Sequence, residues 1–196
     1  MTAELVFPKV TNDTLYSSEA NLFANTSKAF IYVAQSQPAH YVGSNAGIIQ
    51  SGINHALASG LPLVIGSGTW YIGSTLNVNG HLTMTGFGPE HTKLSAISGL
   101  NNFVIAINSP KTNSVHWRTI FEKFKVDGNM SNQNAGGGIV SYGGIEAGYN
   151  NLHFENCYHA GLLLYDCQGP GGEYGHHSRV HECLFDQGEG SAGSGV

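Results

Sequence analysis

Ionisable side chains are densest between Asp166 and Asp186, where the sequence reads DCQGPGGEYGHHSRVHECLFD. Hydrolysis of a glycosidic bond normally uses two carboxyl groups that flank the bond. An arginine beside carboxylates and histidine suits acid–base chemistry on such a bond. We therefore predict a catalytic set composed of Asp166, Arg179, Glu182 and Asp186. The alternative is that this glycine-rich segment is a solvated loop without chemistry.

Aromatic side chains recur through the same part of the chain. Tyrosines stand seven to nine residues apart from position 142 to position 174. Exposed tyrosines can provide flat platforms on which sugar rings stack. The predicted glycan-binding residues are Tyr158, Tyr165, Tyr174, His176 and His177. The alternative is that the tyrosines are half-buried residues of strands.

The histidines and cysteines do not predict a metal site. His176, His177 and His181 lack the spacing of known ligand sets. Three cysteines without a CxxC pair are present, at positions Cys157, Cys167 and Cys183. We predict no metal and no cofactor, and we expect the thiols to be buried as small apolar groups. Asp127, in the sequence VDGN, is expected to cap its own turn rather than to perform chemistry.

The composition restricts the class of protein that positions these residues. Glycine accounts for 27 of 196 residues, about twice the usual share, whereas only 11% of residues are charged and 41% are hydrophobic. A disordered chain or a long helical rod has a different composition, and the glycines lack the period of collagen. The net charge of −5 favours neither a nucleic acid nor an anionic membrane as partner. A folded all-β chain rich in turns fits best.

The chain divides into a short polar segment and one longer domain. Residues 1–42 are predicted to form an N-terminal arm that attaches the protein to a partner, and residues 43–196 the main domain. Apolar spacing predicts a helix over 44–59, which Ser44 or Asn45 can begin and Gly60 can end. No secretory signal and no membrane-spanning run is visible in the sequence.

Beyond the helix, short apolar runs alternate with turn residues, which is typical of strands. Aligning Val126, Phe154 and Val180 gives steps of 28 and 26 residues. Cys157 and Cys183 then each follow the aligned position by three residues. A repeat of this length is typical of a solenoid, whose parallel coils stack similar side chains in ladders. We expect the two cysteines to belong to one interior ladder.

The stretch from Ala46 to Thr92 resembles the opening of the pectate-lyase-like right-handed parallel β-helix proteins. In that superfamily a helix covers the first coil, and a G-T-Y-x-I strand and an l-x-G-x-G turn follow. The similar phrases here are GTWYI at 68–72 and LTMTGFG at 82–88. The resemblance implies a right-handed parallel β-helix with an N-terminal capping helix. Polyuronate lyases of this superfamily use several basic residues, and the single Arg179 after Lys125 disfavours that activity there.

Three functions are compatible with these observations. The favoured prediction is a phage tail-fibre or tailspike-like virion protein that contacts host surface polysaccharide, with or without depolymerase activity. Its arm would bind phage tail or baseplate proteins, and by analogy it would be a homotrimer on the virion tail. The second is a secreted polysaccharide lyase, hydrolase or epimerase. The third is a glycan-binding β-helix without catalysis.

Overall fold

The computed structural model describes residues 30–36, 39–108, 116–142, 144–165 and 178–186. This part of the chain is mostly β, with one α-helix, α1 (Ala46–Ser59), and one 3-10 turn (Met130–Asn132). The strands are β1 (Ile31–Ala34), β2 (Tyr41–Val42), β3 (Leu63–Ile65), β4 (Gly68–Ile72), β5 (Leu76–Val78), β6 (Thr83–Thr85), β7 (Thr92–Ala96), β8 (Phe103–Ile107), β9 (His116–Trp117), β10 (Ile120–Asp127), β11 (Gly137–Tyr142), β12 (Gly144–Ile145), β13 (Gly148–Glu155), β14 (Ala160–Tyr165), β15 (Arg179–His181) and β16 (Leu184–Asp186).

Helix α1 forms where the sequence predicts it. The Asn45 side chain accepts a hydrogen bond from the N–H of Ile48, and Gly60 ends the helix in the left-handed conformation with φ of 68°. These contacts satisfy backbone groups that a helix leaves unpaired at its ends. Of the helices in the described part of the chain, none has the length and apolar character of a membrane span.

One face of α1 packs against the first strands. Ile49 and Ile53 are fully buried, and Gly52 lies so close to Val33 that no side chain would fit there. The Gln50 amide donates to the carbonyl of Asn77 and accepts from its N–H, at 2.9 and 2.8 Å. Because β5 is an edge strand, this amide occupies backbone groups that would otherwise be open to another chain.

The strands form parallel pairs throughout the described residues. They are arranged in three rows, and the passes that begin with β3, β6, β10 and β13 each add one strand segment to every row. The first row has the order β15-β13-β10-β6-β3-β1-β2, and the third has the order β14-β11-β8-β5. The second row joins β4, β7, the end of β10, the end of β13 and β16. Strands β9 and β12 pair separately.

Because neighbouring strands are in register, the side chains of the core stack in ladders. In the first row the aligned positions are Ile31, Leu63, Met84, Phe121, Tyr149 and Val180. In the second row they are Trp70, Leu94, Val126, Phe154 and Phe185. The members of both ladders are buried except at the last strands, where Phe185 is half-buried and Val180 is exposed. Stacked apolar side chains of this kind remove a continuous strip of surface from water.

The predicted repeat is correct for one step and wrong for the next. Val126 pairs with Phe154, but Phe154 pairs with Phe185, and Val180 pairs with Tyr149 in the first row. The reason is the length of this pass: the register step is 31 residues, not 26, because 13 residues (166–178) connect β14 to β15, whereas five (143–147) connect β11 to β13.

The predicted cysteine ladder does not form, for the same reason. Cys157 follows β13 and is buried against Gly128. Cys183 lies at the corner after β15, where its thiol donates to the carbonyl of Tyr149 at 3.3 Å. Both are free thiols, and burial raises the pKa of Cys157 to about 12, which leaves it protonated and unreactive. Cys167 lies outside the described residues.

The predicted N-terminal arm is described only in part. Strands β1 and β2 lie within residues 1–42, and they pair with each other and with β3 in the first row. Residues 1–29 lie outside the described part of the chain.

Replacing a buried member of the second-row ladder tests how much the stacking stabilises the protein. Phe154 is 1% exposed, and its ring stacks on Phe185 with centroids 5.0 Å apart. Phe154→Ala should lower the free energy of unfolding by about 3–5 kcal/mol, because it removes apolar contacts and leaves a cavity. Urea denaturation measures this change. Phe87→Ala is the matched control, because Phe87 is 49% exposed, and its effect should stay below about 1 kcal/mol. Equal effects of the two replacements would contradict the ladder.

Candidate functional site

The predicted catalytic residues are placed at different points of the last described pass. Arg179 pairs with Gly148 at the start of β13, and Asp186 pairs with Glu155 at its end. Glu182 lies at the corner between β15 and β16, with φ of 52°. Asp166 lies outside the described residues. The structure therefore places Arg179 and Asp186 at opposite ends of the same strand pairing, with the exposed Glu182 between them.

Asp186 instead joins a row of carboxylates from successive passes. Asp127, Glu155 and Asp186 are register partners on β10, β13 and β16. Alternate residues of a strand share a face, and Val126 and Phe154 lie in the core, so these three residues face outward. The neighbouring outward column consists of Thr69, Lys93, Lys125, His153 and Leu184. Two outward columns, each with ionisable groups at its centre, thus run side by side along the second row.

Lys93 links the two columns. Its ammonium lies 2.8 Å from Asp127 Oδ2 and 2.7 Å from Glu155 Oε1. Lys125 lies 3.4 Å from the other oxygen of Glu155. Ser95 is 3.2 Å from Asp127 Oδ2, which gives Asp127 a further polar contact. We name this group, composed of Lys93, Lys125, Asp127 and Glu155, the ion row.

The surroundings of Asp127 hold it in its ionised form. Burial alone would raise its pKa, but hydrogen bonds from Lys93, the N–H of Asn129 and the Asn156 amide outweigh burial and lower the pKa below its ordinary value. For Lys93, burial disfavours the ammonium, yet Asp127 and Glu155 outweigh it and raise its pKa. An ionised carboxylate can accept a proton but cannot donate one at neutral pH. Asp127 therefore cannot be a general acid there.

Asp127 also caps its own turn, as the sequence predicts. Its Oδ1 accepts a hydrogen bond from the N–H of Asn129 at 2.9 Å, two residues further along the chain. The amide of Asn156, on the next pass, lies 3.3 Å from the same oxygen. The side chain therefore shapes the turn and connects two passes.

Two of the predicted glycan-binding tyrosines lie in the described residues, and both are exposed. Tyr165 ends β14 and is 47% exposed, and its ring stacks on that of its register partner Tyr142, with centroids 5.0 Å apart and planes 2° apart. Tyr158 is 38% exposed and contacts His159 edge to face at 5.1 Å. Tyr174, His176 and His177 lie outside the described residues. The Tyr142–Tyr165 stack is a rigid aromatic surface of the kind that receives another flat ring.

A groove of about 770 Å³ lies at the start of β10, β13 and β15. The described residues that line it are Arg118, Ile120, Glu146, Ala147, Gly148, Asn150, Ser178 and Arg179. Arg118 and Glu146 occupy equivalent corners, each with φ of 54°, and their side chains form an ion pair with Nε and Oε2 2.9 Å apart. Stacking thus places Arg118 and Arg179 in the lining of one groove, although 60 residues separate them in the sequence.

Sequence reasoning did not select Arg118, Glu146, Lys93 or Glu155. No local motif marks these residues, because each gains its neighbours from another pass of the chain. The sequence feature that could have identified them is the 28-residue step between Val126 and Phe154. The same step relates Arg118 to Glu146 and Asp127 to Glu155. The described residues contain no group of three or more histidine, cysteine or acidic side chains able to hold a metal ion.

Comparisons with known proteins find a similar fold in a phage protein. No protein-family model matches the sequence, and no curated protein matches it. Among solved structures, the chain is similar to ORF18 of Geobacillus virus E2, with a TM-score of 0.51 and 20% sequence identity. The similarity covers 61% of this chain and 27% of that chain, so this chain spans well under a third of that protein's length. At this identity the similarity concerns the fold.

The ion row should make the free energy of unfolding depend on pH in the acidic range. Because the pKa of Asp127 is lowered in the folded state, its contribution is present above its ordinary pKa of 3.8 and is lost as pH falls through the folded value. Asp127→Asn should reduce the free energy of unfolding at pH 7 by about 1–3 kcal/mol, and the difference from the unaltered chain should shrink in acid.

Urea denaturation at pH 7 and pH 3 measures this difference. Glu90→Gln is the control, since Glu90 is 78% exposed and lies 3.8 Å from Lys125; its effect should be within about 0.5 kcal/mol. A loss for Asp127→Asn that is the same at both pH values would show that the ion pair does not contribute.

Proposed function

We propose that this chain forms a right-handed parallel β-helix in a tail-fibre or tailspike-like phage virion protein and contacts the surface polysaccharide of the host. The observation that carries the proposal is the similarity of this fold to a phage protein, ORF18 of Geobacillus virus E2. The in-register parallel rows support the β-helix, because successive passes of a solenoid stack in this way. The helix α1 covers the first pass, as a cap would.

An outward surface suited to carbohydrate supports the polysaccharide contact. The last passes expose Tyr158 and Tyr165 together with polar and charged side chains. Stacked rows repeat every 4.7–4.9 Å, so they offer a polymer a series of similar contacts along the stack. The N-terminal arm would bind tail or baseplate proteins, and three chains would associate in the virion tail.

The geometry favours contact over cleavage. Acid–base hydrolysis needs one carboxyl that is protonated while another is ionised. Lys93 keeps Asp127 ionised, and Glu155 contacts both lysines of the ion row. A depolymerase would then depend on the predicted set, of which Arg179, Glu182 and Asp186 are exposed and lie outside the ion row, and Asp166 lies outside the described residues.

Binding to purified host polysaccharide tests the role of the tyrosine stack. Tyr165→Ala should weaken the binding of the full chain about tenfold, because it removes the exposed ring on which a sugar would stack. Biolayer interferometry gives the affinity. Tyr71→Ala is the matched control, because Tyr71 is 57% exposed on β4, at the other end of the stack; it should bind like the unaltered chain. Equal losses for both variants, or none for either, would exclude the stack as a binding surface.

Two further measurements separate the proposed roles. Mass spectrometry of purified virions should detect the chain as a component, and its absence from virions together with secretion by a cell would favour a secreted polysaccharide enzyme. Incubation with the polysaccharide, followed by sizing of the polymer, tests cleavage. If the polymer is shortened, Arg179→Gln, Glu182→Gln and Asp186→Asn tested singly identify the residues involved, and unchanged cleavage in all three would remove them as the catalytic set.

A further inference from the structure

The groove at the start of β10, β13 and β15 carries an excess of positive charge. Two guanidinium groups, of Arg118 and Arg179, and one carboxylate, of Glu146, are the charged groups among its described lining residues. The described lining therefore carries one net positive charge, whereas the whole chain has a net charge of −5. A local field of this sign attracts anions to the groove.

The two arginines are held in different ways. Arg118 forms the ion pair with Glu146, which orients its guanidinium and leaves further N–H groups of the fork to donate. Arg179 is fixed through its backbone, whose N–H donates to the carbonyl of Ala147 at 2.8 Å. Within the described residues, the Arg179 side chain has no ion-pair partner. One guanidinium is thus oriented in advance, and the other has no ion-pair partner in the part of the chain that the structure describes.

The other side chains of the groove suit a saccharide. Ile120 supplies an apolar wall, and Asn150 supplies an amide that can donate to and accept from hydroxyl groups. Gly148 contributes no side chain, and its neighbours Asn150 and Ile120 are within 3.4 to 3.8 Å of where a Cβ would be. Arg118 lies at the corner before β10 and Arg179 begins β15; these two strands flank β13 and are about 10 Å apart. One saccharide bound over the start of β13 can therefore contact side chains from both flanking strands.

We propose that this groove binds an anionic group of the host saccharide, either a carboxylate of an acidic sugar or a phosphate substituent, and that Arg179 is its principal contact. The planar guanidinium fork matches the two oxygens of either group and donates two hydrogen bonds at once. This inference rests on the proposed function, since it names the class of polysaccharide that the chain recognises. It also revises an expectation from the sequence. Arg179 is the single basic residue after Lys125, yet the fold places Arg118 in the lining of the same groove.

Matched oligosaccharides test the proposal with the full chain. The panel contains a uronic-acid oligosaccharide, the same oligosaccharide with its carboxyl groups reduced to alcohols, a phosphate-bearing oligosaccharide and neutral bacterial polysaccharides. Isothermal titration calorimetry should show binding of the carboxylate or the phosphate compound. The carboxyl-reduced compound should bind at least tenfold more weakly than its acidic parent, if the carboxylate is the group recognised. Binding should weaken with added salt, because charge contributes to it.

Single replacements locate the binding in the groove. Arg179→Gln should weaken binding of the anionic compound at least tenfold, and Arg179→Lys, which keeps the charge and loses the fork, should lie between it and the unaltered chain. Arg118→Gln should weaken binding by a smaller factor, because its guanidinium is shared with Glu146. Lys123→Gln is the control: this exposed cation on β10 lies outside the groove lining, and its replacement should leave binding unchanged. Circular dichroism checks that each variant is folded.

The outcomes distinguish this inference from the proposed function. Equal binding of acidic and carboxyl-reduced compounds with no phosphate preference, or unchanged binding in folded Arg179→Gln, overturns the anionic groove. Binding of a neutral polysaccharide would in that case leave the contact with host glycan standing. Failure of the chain to bind any member of the panel or the host polysaccharide overturns both.

Discussion

In-register parallel stacking is the constraint on which the rest of this structure depends. Each strand lies over its counterpart from the previous pass, so a buried position in one pass requires an apolar residue at the same position in the next. The ladder from Trp70 through Phe154 to Phe185 meets this requirement in five successive strands. At about 25 cal/mol per Å² of buried apolar surface, such ladders supply the main favourable term in folding. Helix α1 removes the first pass from water, and Gln50 satisfies the edge of β5.

The same stacking has a cost on the outer face, where it places like charges one strand apart. Asp127, Glu155 and Asp186 follow one another in register, and Lys93 and Lys125 form a parallel column. Like charges directly opposite each other destabilise a sheet. The ion row compensates for this repulsion because Lys93 lies between two carboxylates.

Corners impose a second requirement, since the chain must adopt positive φ to turn. Asparagine tolerates that conformation better than most residues, and five of the nine such non-glycine positions among the described residues are asparagines.

Sequence reasoning succeeded where the information is local. The helix at 44–59 follows from apolar spacing and from Asn45 and Gly60 at its ends, and Asp127 was recognised as the cap of its own turn. It was weaker where the information is spread over several passes. The alignment of Phe154 with Val180 failed because the last pass is longer, with a register step of 31 residues that pairs Val180 with Tyr149 and Phe185 with Phe154. The groove was invisible because Arg118 and Arg179 belong to different passes, and nothing near either residue marks it as part of a site.

Disulfide mapping between two strands tests the stacking most directly. His153 and Leu184 are outward register partners on β13 and β16, whereas the alignment from sequence would place Arg179 opposite His153. Neighbouring strands lie within disulfide range when their residues are in register. Two double variants, His153→Cys with Leu184→Cys and His153→Cys with Arg179→Cys, are oxidised mildly, and the linked peptides are identified by mass spectrometry. The account predicts a disulfide between positions 153 and 184 and none between 153 and 179. A disulfide between 153 and 179, with none between 153 and 184, would contradict it.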